Sequence, residues 1–98
     1  MFRRFADFYP FYLTEHAHPV SRRLHFLGTA CFITLAVYAL ASQRYLLLVL
    51  SPLPGYALAW AGHFFFEKNR PATFRHPLYS LLGDFVMFKD ILMGRVRW

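Results

Sequence analysis

Cysteine is nearly absent from this sequence: Cys31 is the only one among 98 residues. A disulfide framework and a zinc site made from cysteine pairs are therefore excluded, and Cys31 is expected to be a small buried residue in an apolar run. The glycine loop of nucleotide-binding proteins and the Gly-x-Ser-x-Gly turn of serine hydrolases are also missing. Any chemistry must come from other residue types.

Acidic residues are scarce as well. Five Asp and Glu stand against eleven Lys and Arg, which gives a formal net charge of +6. Such an excess can indicate nucleic-acid binding, but these basic residues flank apolar runs and do not form a stripe among polar residues. Positive charge beside apolar segments is typical of the cytoplasmic flanks of membrane helices. We therefore expect a membrane protein and no nucleic-acid partner.

Apolar residues, in contrast, are abundant: 57% of the chain is hydrophobic and 20% is aromatic. A helix from Pro19 to Ala41 would be about 34 Å long, enough to cross roughly 30 Å of hydrocarbon. After a tight turn at residues 42–44, a second apolar stretch runs from Tyr45 to Phe66. The sequence predicts an all-α protein with one membrane domain, residues 1–98, built on an antiparallel hairpin spanning the membrane at about 19–41 and 45–66.

An amphipathic segment flanks the hairpin on each side. Phe2 to Thr14 mixes aromatic with charged residues, which predicts a short helix at the membrane interface with its aromatic rings among the headgroups. Leu78 to Met93 has a helical pattern but carries Asp84, Lys89 and Asp90. We expect this helix to pack on the hairpin or to be re-entrant, with its acids buried against protein.

Proline and charge predict the limits and the orientation of the spans. Pro19 suits the first position of a helix, so His18 is the expected N-cap. Two prolines and a glycine in 51–55 are expected to break the second span, leaving a longer helix from about Tyr56. Basic residues cluster before the first span and after the second, against Arg44 alone between them. Both outer ends are therefore expected in the cytoplasm, at the bacterial inner membrane or the endoplasmic reticulum.

Three of the five histidines are expected to converge. Because the spans are antiparallel, His25 near the start of the first and His63 near the end of the second should lie at the same membrane face, with His16 in the loop beside them. Imidazole is a common ligand for iron, zinc, copper and nickel, and three protein ligands leave positions open. The sequence therefore predicts a metal site.

The fourth ligand stays open. Glu67 lies four residues after His63 on the same helix face, so it is expected either to bind the metal or to hold an imidazole ring. Asp84 and His18 are weaker candidates, and His76 is expected to be solvated.

Residues 62–72, Gly-His-Phe-Phe-Phe-Glu-Lys-Asn-Arg-Pro-Ala, together with residues 15–19 and 24–25, closely resemble the small membrane family of iron(II)-dependent 2-hydroxy-fatty-acid dioxygenases. The resemblance extends from about Phe8 to Asp90. It implies Fe(II) as cofactor, bound by the three predicted histidines, with Glu67 as the catalytic acidic residue. It further implies that O2 and a 2-hydroxy fatty acid are converted to CO2 and a fatty acid one carbon shorter, which is fatty-acid α-oxidation.

The substrate carboxylate would need positive partners at the membrane edge. We expect it near four basic residues at the span ends, which are Arg22, Arg23, Lys68 and Arg70. A small hairpin has little surface to enclose a lipid, so a homo-oligomer is expected. Two alternatives remain open: a metal-dependent membrane lipid hydrolase or hydroxylase, and a non-enzymatic membrane subunit or lipid-binding adaptor whose histidines merely lie at the interface.

Overall fold

The protein is helical, as predicted. The computed structural model describes residues 2–98, and no strand occurs among them. The regular elements, in chain order, are α1 (Phe5–Thr14), α2 (Pro19–Ala41), α3 (Tyr45–Leu50), α4 (Pro52–Ala61), a π-helical segment (Gly62–Glu67), a 3-10 turn (Ala72–Phe74) and α5 (Pro77–Leu92).

Helix α2 has the limits that the sequence predicts. Pro19 is its first residue, and Nδ1 of His18 accepts the backbone N–H of Val20 at 3.1 Å, so His18 is the N-cap. After α2 the chain turns at Gln43, whose φ of 58° is left-handed. The stretch Tyr45–Glu67 then packs along α2.

The two long apolar segments, Pro19–Ala41 and Tyr45–Glu67, are long and apolar enough to cross a membrane. Much of their apolar surface faces outward: Leu46 is 74% exposed and Val49 is 72% exposed. Cys31 is also exposed, so the expectation that it is buried is wrong. It lies on the part of α2 that faces away from the rest of the fold.

The break in the second apolar stretch is smaller than predicted. Helix α4 begins at Pro52 and not near Tyr56. Proline has no backbone N–H, and the N–H groups of the first helical turn have no intrahelical acceptor, so proline is tolerated at this position. Pro52 cannot donate to the carbonyl of Leu48, and the Ser51 hydroxyl donates to it at 2.7 Å instead. Only Ser51 separates α3 from α4.

Helices α2 and α4 approach closely at a pair of glycines. A Cβ on Gly28 would lie 2.9 Å from the backbone oxygen of Gly55, and a Cβ on Gly55 would lie 2.9 Å from that of Gly28. Small residues allow helix backbones to touch in this way, which is a frequent packing mode in membranes. The crossing holds the two apolar segments side by side just beyond His25.

Helix α1 does not place all its aromatic rings among headgroups. Phe8 and Tyr12 are 0% and 1% exposed and form the core with Met87 of α5 and with Ala72. The expectation that the aromatic rings lie among the headgroups is therefore wrong for these two residues. The aromatic face of α1 is covered by α5, which offers an apolar surface of its own.

The acids of α5 provide polar contacts between the same two helices. The Tyr12 hydroxyl donates to Asp84, and the Tyr9 hydroxyl donates to Asp90 at 2.8 Å. Buried carboxyls require such partners. Asp90 is buried against protein, as predicted, whereas Asp84 is half-buried.

Candidate metal centre

Three imidazole rings from three elements meet in the interior. His16 follows α1, His25 lies in the second turn of α2 and His63 lies in the π-helical segment; they are 1%, 3% and 2% exposed. Nε2 of His25 is 3.0 Å from Nε2 of His16 and 3.2 Å from Nε2 of His63. One ligand atom from each ring lies within 4.8 Å of the others. The predicted convergence is confirmed.

Close helix packing makes this meeting possible. A Cβ on Gly62 would lie 2.8 Å from Oγ of Ser21 and 3.1 Å from its Cα, so a larger residue at 62 would push the second apolar stretch away from α2. His25 follows Ser21 by one turn, and His63 follows Gly62 directly. The two rings are therefore brought together by the contact between their neighbours.

For two of the rings, the hydrogen-bond partner of Nδ1 determines which tautomer is present. Nδ1 of His16 lies 2.6 Å from the carbonyl oxygen of Tyr12, and Nδ1 of His25 lies 2.7 Å from that of Ser21. A carbonyl oxygen can only accept, so each Nδ1 carries the proton of the neutral ring. The Nε2 atoms that face each other are therefore unprotonated.

Asn69 does the same for His63. Its Oδ1 lies 2.7 Å from Nδ1 of His63, while its Nδ2 donates to the carbonyl of Glu15 at 3.2 Å. The Glu15 carbonyl can only accept, which orients the amide so that its oxygen faces the ring. Asn69 was not predicted. The only sequence signal is its position just beyond the helix end, from which its side chain can reach back.

These three nitrogens suit a metal ion. Unprotonated lone pairs about 3 Å apart repel each other unless a cation lies between them, and metal–nitrogen bonds of about 2.1 Å allow such nitrogens to share one ion. Burial, and next the neighbouring His25 ring, hold the pKa of His16 well below its usual range. The ring therefore stays neutral, which is the form that binds metal. The three histidines could hold a metal ion.

Glu67 makes a different contact from the one predicted. Its Oε2 accepts the backbone N–H of His18 at 2.9 Å. The first N–H groups of a helix have no intrahelical acceptor and favour a carboxylate, so Glu67 fastens the start of α2 to the end of the second apolar stretch. The hydrogen bond to an imidazole ring that was expected for Glu67 is made by Asn69 instead.

Arg22 holds the segment that carries His16. One of its terminal nitrogens donates to the carbonyls of His16 and Ala17 at 3.2 and 3.0 Å, and Nε donates to the carbonyl of Arg97 at 3.0 Å. Its guanidinium is therefore engaged with backbone, and it joins the loop before α2 to the C-terminal segment.

The other three basic residues lie on the surface. Arg23 is placed over the Trp98 ring and Arg70 over the Phe74 ring, 5.6 and 5.3 Å from the ring centres. Lys68 is exposed, with a left-handed φ of 58° at the end of the π-helical segment. None of the three, nor Arg22, lines the cavities beside the histidines.

The remaining two histidines have structural contacts. His18 caps α2, as described above. His76 is not freely solvated, contrary to the prediction, because its ring packs against the rings of Phe2 and Phe8 at 5.4 Å from each. Neither residue belongs to the group that could hold a metal.

Two cavities adjoin the three histidines. The polar cavity is lined by all three rings together with polar residues that include Tyr12, Trp60, Ser80 and Asp84. The apolar cavity runs between α2, α4 and α5 and is lined by Gly28, Phe32, Leu81 and Phe85 among others. Both cavities include His25 and Asp84 in their walls. The apolar cavity therefore extends from His25 along the crossing of α2 and α4, and α5 contributes Asp84 to the walls of both cavities.

The fold and the site together define a helical protein with two potential membrane spans and a buried three-histidine centre next to an apolar cavity. A family model described as 2-hydroxy-palmitic acid dioxygenase Mpo1-like matches residues 2–96. The chain therefore belongs to the Mpo1-like family, and the resemblance noted in the sequence is confirmed. Comparison with curated proteins and with solved structures gives no match.

Proposed function

We propose that this protein is an Fe(II)-dependent dioxygenase that shortens 2-hydroxy fatty acids by one carbon with release of CO2. The observation that carries the proposal is the meeting of the Nε2 atoms of three buried histidines, one of which, His25, also lines an apolar cavity. An amphiphilic substrate could place its polar end at the rings and its acyl chain in that cavity. Membership of the Mpo1-like family supports the 2-hydroxy acid as the substrate class.

His16, His25 and His63 would hold the ion through Nε2. When bound, iron(II) supplies the one-electron chemistry that dioxygen requires. Three protein ligands would leave the rest of the coordination sphere of the ion free for other ligands. Iron suits imidazole ligands, although zinc, copper and nickel do as well. Metal identity is therefore part of the test below.

The proposed reaction balances without a further reductant. Cleavage of the bond between C1 and C2 of one 2-hydroxy acid, with one O2, gives one shortened fatty acid, one CO2 and one water. The carbon atoms lose four electrons and dioxygen gains four. A lipid hydrolase would consume no O2, so the oxygen requirement separates the two chemistries.

The surrounding residues would hold the rings in place and keep water out. Asn69 and two backbone carbonyls fix the orientation of the rings, as partners of metal-binding histidines generally do. Arg22 and Glu67 fasten the loop that carries His16. Through these contacts Glu67 would act as a positioning residue. Arg23, Lys68 and Arg70, at the proposed cytoplasmic surface, would attract the anionic substrate to the membrane edge.

The test uses the full-length protein in detergent micelles, reconstituted with iron(II) and given 2-hydroxyhexadecanoic acid. Mass spectrometry should detect pentadecanoic acid in air and none under argon, and hexadecanoic acid should give no product. Zinc-loaded protein should be inactive. An iron-loaded protein that yields no shortened acid in air, or a product that forms equally under argon, would overturn the proposal.

A further inference from the structure

Two hydrogen-bond donors in the polar cavity have no partner. The hydroxyl of Ser80 and the indole N–H of Trp60 are buried, and neither makes a hydrogen bond within residues 2–98. Both residues line the polar cavity together with the three histidines, and Ser80 is only 4% exposed. Nearly all buried polar groups in native proteins are satisfied. A pair of unmet donors beside a candidate metal centre therefore points to a ligand that accepts hydrogen bonds.

The two donors stand on different walls of the cavity. Trp60 is on α4, three residues before His63, so the two side chains share one side of the helix. Ser80 is in the first turn of α5. The Trp60 ring is packed against Phe74, with ring centres 5.2 Å apart, so its N–H has a fixed direction. A group that reaches both donors would lie between α4 and α5, next to the rings.

We propose that Ser80 and Trp60 bind the carboxylate of the 2-hydroxy acid, a role that the sequence had predicted for the four basic residues. This inference rests on the proposed function. An indole N–H only donates, a serine hydroxyl can donate, and an ionised carboxylate only accepts, so the groups are complementary. Hydrogen bonds to a charged acceptor are the strong ones, and a water-poor cavity strengthens them further.

The remaining groups of the cavity agree with this assignment. Arg22 is engaged with backbone carbonyls, and none of the four basic residues lines the cavity, so the carboxylate has no side-chain cation there. Asp84 is acidic, but it accepts the Tyr12 hydroxyl and is directed to α1. Of the residues that line the polar cavity, Ser80 and Trp60 are the two whose buried donors have no partner.

The experiment measures binding without turnover. Full-length protein in lipid nanodiscs, loaded with iron(II) and kept under argon, is titrated with 2-hydroxyhexadecanoic acid and with hexadecane-1,2-diol, which has the same chain length but no carboxylate. Affinity is measured by equilibrium dialysis. A Trp98→Phe background leaves Trp60 as the only tryptophan, so its fluorescence reports directly on the proposed contact.

We expect the acid, and not the diol, to shift the emission of Trp60. Ser80→Ala and Trp60→Phe should each weaken binding of the acid at least about tenfold and leave binding of the diol and the iron content unchanged. Ser80→Thr retains a hydroxyl and should bind the acid like the wild type, which separates loss of the donor from a defect in folding. Ser51→Ala is the matched control, because Ser51 is also buried but its hydroxyl already donates to Leu48.

Two results would overturn the inference. Unchanged acid affinity in both variants, with iron retained, would mean that the donors meet only water. An equal loss of acid and diol binding would mean that the two residues act through packing. Carboxylate-dependent binding that persists in a protein without dioxygenase activity would contradict the proposed function and leave the carboxylate site in place.

Discussion

At the scale of single residues, the orientation of each candidate metal ligand is fixed by the hydrogen-bond acceptor at Nδ1 of its ring. Two of the three acceptors are backbone carbonyls one helical turn earlier, and the third is Asn69. Only the last belongs to a side chain and can be removed by substitution. Asn69 is therefore the residue through which ring orientation can be tested.

Asn69→Ala should lower metal affinity by about 10- to 100-fold, because the His63 ring loses the acceptor that fixes its tautomer and orientation. Asn69→Asp keeps an oxygen for the ring and should recover most of that affinity. Competition with a calibrated chelator gives both constants. Equal affinity in the alanine variant and the wild type would contradict the assigned role of Asn69.

Asp84 provides a pH test. Burial raises the pKa of its carboxyl from 3.8 to about 7, although the Tyr12 hydroxyl opposes the shift. Between these values the folded state binds more protons than the unfolded state, so the contribution of this carboxyl to stability falls as pH rises. Asp84→Asn removes that dependence. The stability of the variant relative to the wild type should rise with pH across this window, with a slope of up to about 1.4 kcal/mol per pH unit.

Denaturant unfolding of the metal-free protein in detergent, between about pH 5 and pH 7, measures this difference. Protons compete with a metal ion for the histidines of the same cavity, so bound metal would add its own pH dependence to the stability. The metal-free protein avoids this contribution. Parallel pH curves for the wild type and Asp84→Asn would show that the carboxyl is not perturbed.

At the scale of elements, the crossing of α2 and α4 holds the hairpin together. Gly28→Ala would place a Cβ 2.9 Å from the Gly55 oxygen and 3.1 Å from its Cα, both of which are backbone atoms. The helices must then separate, which also alters the apolar cavity that Gly28 lines. The contact is therefore important for both stability and the site.

We predict that Gly28→Ala lowers the melting temperature by several degrees, since about 1 kcal/mol corresponds to roughly 4–8 °C in a domain of this size. Circular dichroism in detergent measures the change. Cys31→Ala, at an exposed position on the same helix, is the control and should melt like the wild type. A Gly28→Ala protein that melts with the control would rule out the tight crossing.

Elements governed by local signals were predictable from the sequence. The limits of α2 follow from Pro19 and its cap, and the meeting of His25 with His63 follows from counting residues along two antiparallel helices. The break at Ser51 was overestimated because proline is harmless in the first turn of a helix. The limits of α2 and the break at Ser51 depend on interactions within a few residues of the chain, whereas the meeting of the two histidines requires only that the two helices run antiparallel.

Features that depend on contacts between distant segments were not predictable in the same way. The burial of Phe8 and Tyr12 depends on α5, more than 60 residues later in the sequence. Trp60 and Ser80 line the same cavity only because α4 and α5 pack on opposite sides of it. The spacing of apolar residues does not reveal a π-helical segment, so this element was not predictable from the sequence.

At the scale of the whole molecule, the prediction is that both outer ends of the hairpin face the cytoplasm. With Cys31→Ala as background, Gln43→Cys in the turn and Arg75→Cys in the loop after the second span each provide one thiol. In intact cells a membrane-impermeant maleimide should label position 43 only, because basic residues keep the other loop in the cytoplasm. Labelling of position 75 before permeabilisation would reverse the topology.

The central claim is that His16, His25 and His63 share one metal ion, and elemental analysis of the purified full-length protein tests it most directly. We expect about one iron per chain in the wild type, little or none after replacing any of the three by alanine, and full content in His76→Ala, whose ring packs outside the site. Folding of each variant is checked by circular dichroism. Folded variants of the three histidines that keep their metal would contradict the account.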